Sequence, residues 1–294
     1  MAGTMASLPD LWISRRAAPD EAALAAVRDR TPAVVVTGGS RGIGRAIAQR
    51  FARAGHSVVI IARERVALER TAETIAHACG VRVIPLVLDM VAADACETLD
   101  AALKAERLYA DVLVNNAGIG LAGPFVSGST ADIERLIALN VGAATRLMHH
   151  ALPPMLARGR GGILNIASLG GLVPGPNQAV YYASKAYLVS LTEAVAYEER
   201  GRGVRIAAVA PGPVDTTFHD AMQAESALYR SLVPAISVER VARSAYRGFT
   251  LGRTVIVPGM LPSLAAVAVK LLPHAISVPL VGALLAVDTR VSPR

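Results

Sequence analysis

The chain is expected to fold as an α/β protein of Rossmann type, a doubly wound, mainly parallel seven-stranded sheet with helices on both faces. Three observations predict it. Short β-branched apolar runs alternate with helical stretches along most of the chain. The first of these runs leads straight into a glycine-rich loop. Hydrophobic residues make up 53% of the sequence and aromatics only 4%, so the core must be built from Ala, Val, Leu and Ile. Alternating strands and helices give a parallel sheet covered on both sides, and buried parallel strands read as continuous aliphatic runs.

Each element follows from its local pattern. Residues 1–31 read as an extension, a surface helix and linker ending at Pro32, because Arg15, Arg16, Asp20 and Glu21 interrupt any continuous apolar stretch. The run 33–37 is the first strand, 38–44 the loop, and 45–54 a helix closed by Gly55. A second strand over 58–61 precedes a helix over 65–79 that stops at Gly80. Strands three to seven are expected over 81–88, 111–114, 162–167, 204–210 and 254–257. Helices are expected over 94–106, 131–157 and 181–200. The catalytic domain therefore spans 32–260, and 261–294 form an apolar tail. Pro262, Pro273 and Pro279 break that tail, and its stretch 271–287 falls short of the roughly 20 apolar residues a spanning helix needs. The tail is expected to pack on the domain or on a partner subunit; contact with a membrane surface is the alternative.

Composition excludes other classes. The net charge is +7, but only three residues are Lys and no basic block carries interleaved aromatics, so no nucleic-acid partner is expected. Cys79 and Cys96 have neither disulfide nor metal spacing. No metal is expected, and the location is read as cytoplasmic.

Chemistry is carried by two constellations. The first is Thr37-Gly-Gly-Ser-Arg-Gly-Ile-Gly44 between a strand and a helix. Glycines let backbone approach a pyrophosphate, and the helix N-terminus offers unbonded N–H groups and a favourable dipole. An NAD site usually places a carboxylate at the end of the second strand; here Ala62 and Arg63 stand there, with Arg41 inside the loop. Two guanidinium groups suit a 2′-phosphate, which predicts NADP(H). The second constellation is Ser168, Tyr181 and Lys185. Tyr181 and Lys185 share a helix face at i, i+4. The ammonium favours the phenolate and lowers a phenol pKa that is ordinarily about 10. Ser168 can hold a substrate oxygen.

Taken with Asp89, Asn115-Asn-Ala-Gly118, Asn140 and Pro211-Gly-Pro-Val-Asp-Thr216, these motifs resemble the short-chain dehydrogenase/reductase superfamily in its classical form over about 34–259. The ending 255–260 and the tail look most like the DltE-like subgroup. The resemblance implies that Tyr181 is the general acid in carbonyl reduction and Lys185 its modulator and a ribose ligand. It also implies that Ser168 stabilises the substrate oxygen and that Asn140 holds a water leading to solvent. It extends the cofactor contacts over Thr37, Gly38, Ser40, Arg41, Gly42, Ile43, Gly44, Arg63, Asp89 (toward the adenine amino group), Met90, Asn116, Ala117 and Gly118. Tyr181, Lys185, Pro211, Gly212, Val214 and Thr216 complete them. Tyr182, lacking a Lys at i+4, is read as packing, as are His149 and His150. Glu198 and Glu199, beside Arg200, are read as a solvated face. The substrate is expected to be a small-molecule carbonyl or alcohol. A lipophilic one is suggested by Leu169, Leu172, Val173 and Pro176 and by Phe218, Met222, Leu228, Tyr229, Leu232 and Val233 in the segment that normally closes over substrate; lid or interface packing explains these residues equally. His219 lies in the same segment. Epimerisation, dehydration, enoyl reduction or a non-enzymatic NADP(H) sensor are the competing functions. A homo-oligomer, dimer or tetramer, is implied through helices such as 131–157 and 181–200.

Overall fold

The computed structural model describes residues 19–216, 235–259 and 272–286. Phe218, His219, Met222, Leu228, Tyr229, Leu232 and Val233 lie outside the described residues. Seven parallel strands form one sheet: β1 (Thr31–Thr37), β2 (Ser57–Ala62), β3 (Val83–Val87), β4 (Leu108–Asn115), β5 (Gly161–Ile166), β6 (Val204–Val209) and β7 (Val255–Ile256), in the order β3-β2-β1-β4-β5-β6-β7. Chain order reverses between β1 and β4. In an open parallel sheet the ligand crevice opens there, beyond the carboxyl ends of the strands.

The helices are α1 (Glu21–Ala25), α2 (Gly42–Ala52), α3 (Arg65–Cys79), α4 (Ala95–Ala105), α5 (Thr130–Ile137), α6 (Ala144–Ala157), α7 (Ala179–Glu198), α8 (Val238–Thr250) and α9 (His274–Leu284). Side chains alternate across the sheet, so odd and even positions of β1 feed different layers. Val34 and Val36 join α2, α3 and α8, whereas Ala33 and Val35 join α4 and α6. Phe51 anchors the first layer, edge-on to Tyr246 and Phe249 at centroid distances of 5.1 and 6.3 Å.

Three expectations are corrected. Pro32 lies inside β1 rather than ending a linker, since Thr31 already pairs with Leu108. The missing N–H is tolerated so near the start of the strand. Helix α2 begins at Gly42, so Gly42 to Gly44 are its first turn, not loop. The long helix over 131–157 is not uniform. Between α5 and α6, Ala138–Ala143 form a π-helical turn with Asn140 buried inside it. Such a widened turn accommodates one extra residue and often marks a functional site.

Candidate active site

The carboxyl ends of β1, β2, β4, β5 and β6 border a cleft of about 1160 Å³. At β1, Gly38 takes a positive φ of +64°, and a side chain there would meet Asn116. Gly44 is tighter still, because a β-carbon would lie 2.3 Å from the Gly38 carbonyl oxygen and 2.4 Å from Asn116 Nδ2. The loop is fixed from behind. Asn116 donates to the carbonyls of Thr37 and Gly38 at 2.9 and 3.1 Å, and Thr71 donates to Ser40 O at 2.9 Å. Thr37 Oγ1 in turn accepts from the amides of Asn116 and Ala117 at 3.0 and 2.9 Å. This is a glycine cradle opening onto the first turn of α2, whose N–H groups have no intrahelical acceptor. A pyrophosphate fits there. Gly44→Ala is expected to cost about 1–3 kcal/mol of strain and roughly tenfold in cofactor affinity, measurable by titration of nicotinamide fluorescence.

Ser40, Arg41, Gly42 and Ile43 line the β1 side of the cleft, and Arg63 stands just past β2. Asp89 and Met90 follow β3, where Asp89 Oδ1 accepts from Val91 N at 3.0 Å. Arg146 Nη2 holds this turn by donating to the carbonyls of Met90 and Val91, both at 3.2 Å. No motif pointed to Arg146. Asn116, Ala117 and Gly118 line the floor, and Pro211, Gly212, Val214 and Thr216 the wall beyond β6. Thr37 and Gly44, expected among the cofactor contacts, and Asn140, expected to hold a water, do not line the cleft; they shape it from behind.

The proton-transfer residues converge across β5 and α7. Lys185 is buried, with Nζ 5.8 Å from the Tyr181 ring centroid and donating to Ile166 O at 2.9 Å. Burial alone lowers its pKa from the usual range to about 8. Asn140 Oδ1 accepts from Ile119 N at 2.9 Å, while its Nδ2 donates to Ile119 O at 2.8 Å and to Ser184 Oγ at 3.1 Å. A β-carbon on Gly118 would come 3.1 Å from Asn140 Oδ1 and 3.5 Å from Lys185 Nζ, so Lys185 and Asn140 meet at that glycine. Ser168 Oγ accepts from Gly170 N at 3.1 Å, which leaves its own O–H to donate into the cleft. Tyr182 packs as expected. Side chains at Gly170 or Gly175 would strike its ring, at 2.9 and 2.3 Å.

Other cleft residues carry no motif. Glu64 follows Arg63 at the cleft edge, a carboxylate the strand-end pattern did not include. Helix α9 folds back over the loop before α7: Val281, Leu284 and Leu285 line the cleft, Gly282 lies against Pro176, and Asn177 Nδ2 donates to Leu285 O at 3.3 Å. His150 pairs with Asp100 at 2.8 Å, away from the cleft. Glu199 pairs with Arg202 at 2.6 Å, not with Arg200.

The short chain dehydrogenase family model matches residues 32–227. The chain belongs to the short-chain dehydrogenase family. Its relatives include sulfoacetaldehyde reductase 2 of Chromohalobacter salexigens, 35% identical over 74% of this chain and 88% of that protein. Among solved structures, a short-chain dehydrogenase from Sphingobium yanoikuyae in complex with NADPH superposes with a TM-score of 0.72, at 31% identity over 81% of this chain and 92% of that one. A short-chain dehydrogenase/reductase from Burkholderia phymatum in complex with NAD gives a TM-score of 0.71, at 27% identity over 81% and 92%. This short-chain dehydrogenase is therefore an oxidoreductase of the nicotinamide-dependent class acting on small molecules, with the sheet topology its sequence predicts.

Proposed function

We propose that the enzyme is an NADP(H)-dependent reductase of lipophilic ketones or aldehydes, or the corresponding alcohol dehydrogenase. The observation that carries the reading is the convergence of Ser168, Tyr181 and Lys185 on the cleft that the glycine cradle opens. The bound nicotinamide supplies or accepts hydride. The protein's own part is proton and charge handling. Ser168 donates to the substrate oxygen as charge grows there. Tyr181 delivers the proton, and the ammonium of Lys185 stabilises the phenolate left behind. Asn140, locked in the π turn, holds the backbone at Ile119 beside Lys185, and in this reading a water next to it carries the proton path to solvent.

Preference for NADP(H) rests on Arg41 and Arg63 flanking the place of the adenine ribose. Relatives in this family bind either dinucleotide, and Glu64 pulls the other way by repelling a 2′-phosphate. Two guanidinium groups against one carboxylate leave a net positive edge. Charge-assisted hydrogen bonds are worth about 1.5–3 kcal/mol, so Arg63→Ala is expected to lower kcat/KM with NADPH by about 10- to 100-fold while leaving the value with NADH nearly unchanged. Equal loss with both cofactors would mean that Arg63 does not read the phosphate.

The lipophilic substrate class is supported by the wall opposite the cofactor. Leu169, Leu172, Val173, Val281, Leu284 and Leu285 build it, with the ring of Tyr182. Turnover of a panel of aryl-alkyl and long-chain ketones against sugar-like and short charged aldehydes tests this; a panel led by the latter would overturn it. Assembly into a homo-oligomer through the α5–α6 segment and α7 is proposed from the family resemblance, and Tyr187 and Tyr197 are exposed on α7. No helix among the described residues is long and apolar enough to cross a membrane, and the described end of the tail is engaged with its own cleft.

A further inference from the structure

At the amino-terminal end of the sheet, α1, α4, α6 and the start of β4 enclose a second pocket of about 410 Å³. It is unrelated to the catalytic cleft. Tyr109 and Ala110 line it, whereas Asn116, beyond the other end of β4, lines the cleft. Leu113 lines the second pocket as well, three residues before Asn116, yet no residue lines both pockets. The body of the pocket is aliphatic, with Val27 from behind α1, Leu99 and Leu103 from α4, and Leu147 and Pro154 from α6. At its base is Arg158, only 7% exposed.

This arginine is anomalous. Buried cations are ordinarily paired with a carboxylate. Among the described residues Arg158 has no ion pair, and its Nε has no hydrogen-bond partner. One nitrogen donates to Ala110 O at 3.0 Å, and the guanidinium sits 4.8 Å over the Tyr109 ring. The neighbouring carboxylate, Asp111, is taken by Arg160 through bonds of 3.0 to 3.3 Å. Desolvation lowers the Arg158 pKa, outweighing the opposing pull of Tyr109 and of the nearby Asp111 carboxylate. Arg30 and Lys104 add positive charge at the rim, while the rim carboxylate Asp100 is occupied by His150 at 2.8 Å.

We infer that this pocket is a second ligand site that takes a small amphipathic anion, its carboxylate on the guanidinium of Arg158 and its apolar body between α1, α4 and α6. The charge lacking at the base and the aliphatic walls above it each select one half of such a molecule. Neither would suit a neutral lipid or a hydrophilic anion as well.

The test uses the full chain saturated with NADPH and octanoate as probe, with octanol for comparison, read by isothermal titration. Octanoate is expected to bind once per chain without competing with the ketone substrate, and octanol to bind about tenfold more weakly. Arg158→Gln is expected to remove that preference for the carboxylate. Arg30→Gln, at the rim, weakens binding by a few-fold and leaves ketone reduction unchanged. If Arg158→Gln fails to fold, the double replacement Arg30→Gln with Lys104→Gln decides, since it leaves the buried packing intact. Octanoate binding that is unchanged in these variants, matched by octanol, or competitive with the ketone would overturn the assignment.

Discussion

Tyr181→Phe is expected to lower kcat for carbonyl reduction by about 10²–10⁴-fold, the usual worth of a positioned general acid, with NADPH affinity essentially unchanged. The substitution removes one hydroxyl and keeps the ring. That ring contributes more than a proton. It lies 6.1 Å from the Tyr182 ring, edge to face, and 5.8 Å from Lys185 Nζ. Phe preserves both contacts, so the cleft should keep its shape and the loss should be confined to the transition state. In kinetic terms kcat and kcat/KM should fall together, the signature of an interaction made only when charge develops on the substrate oxygen. Ser168→Ala should fall in the same way but less far, because Ser168 assists the oxygen without supplying the proton. A Tyr181→Phe enzyme that binds NADPH and still reduces its best ketone at near the parent rate would sink the assignment of Tyr181 as acid. Loss of NADPH binding would instead show that the phenol holds the cofactor site together.

Much of this site is legible in the sequence because its parts are local. The i, i+4 spacing of Tyr181 and Lys185 becomes proximity once 179–198 is helical, and a glycine loop between a strand and a helix has few other uses. Apolar runs locate all seven strands to within a few residues, since buried parallel strands leave a continuous aliphatic trace. What was not legible is what depends on distant partners. Thr37 belongs to the glycine motif, yet its hydroxyl is used to brace the chain after β4, some 80 residues away. The π turn at Asn140 has no periodicity of its own and hides inside a helical pattern. The apolar tail gives no hint from composition that residues 281 to 285 will wall the catalytic cleft; that depends on Asn177 capping Leu285. Arg158 and Arg160 look alike in sequence. Only the fold gives the Asp111 hydrogen bonds to Arg160 and leaves Arg158 buried with no carboxylate bonded to it among the described residues.

Lys185 gives the other large effect, and it separates activity from stability. Its ammonium is buried with a pKa lowered to about 8 by desolvation. Reduction needs Tyr181 protonated and Lys185 charged beside it. The kcat/KM for reduction should therefore hold level below neutrality and fall with rising pH through about 8. Lys185→Arg keeps a charge over that range, so whatever activity survives should lose the break near 8. The stability effect has the opposite sense. An unfolded lysine titrates near 10.5 and the folded one near 8. Between those values the unfolded chain binds more protons, so folding is favoured as pH rises; below 8 both states carry the charge and the full burial cost is present. That shift corresponds to a cost on the order of 3 kcal/mol at pH 7, reduced by about 1 kcal/mol for the bond to Ile166 O. Lys185→Met should thus abolish detectable turnover and yet melt a few degrees higher at pH 7, with the advantage shrinking toward pH 10. A residue retained for packing would do the reverse, so calorimetry of Lys185→Met across pH tells the two roles apart. A variant that melts lower at every pH would show that the ammonium is held for structure, and the proton-transfer role would then have to rest on Tyr181 and Ser168 alone.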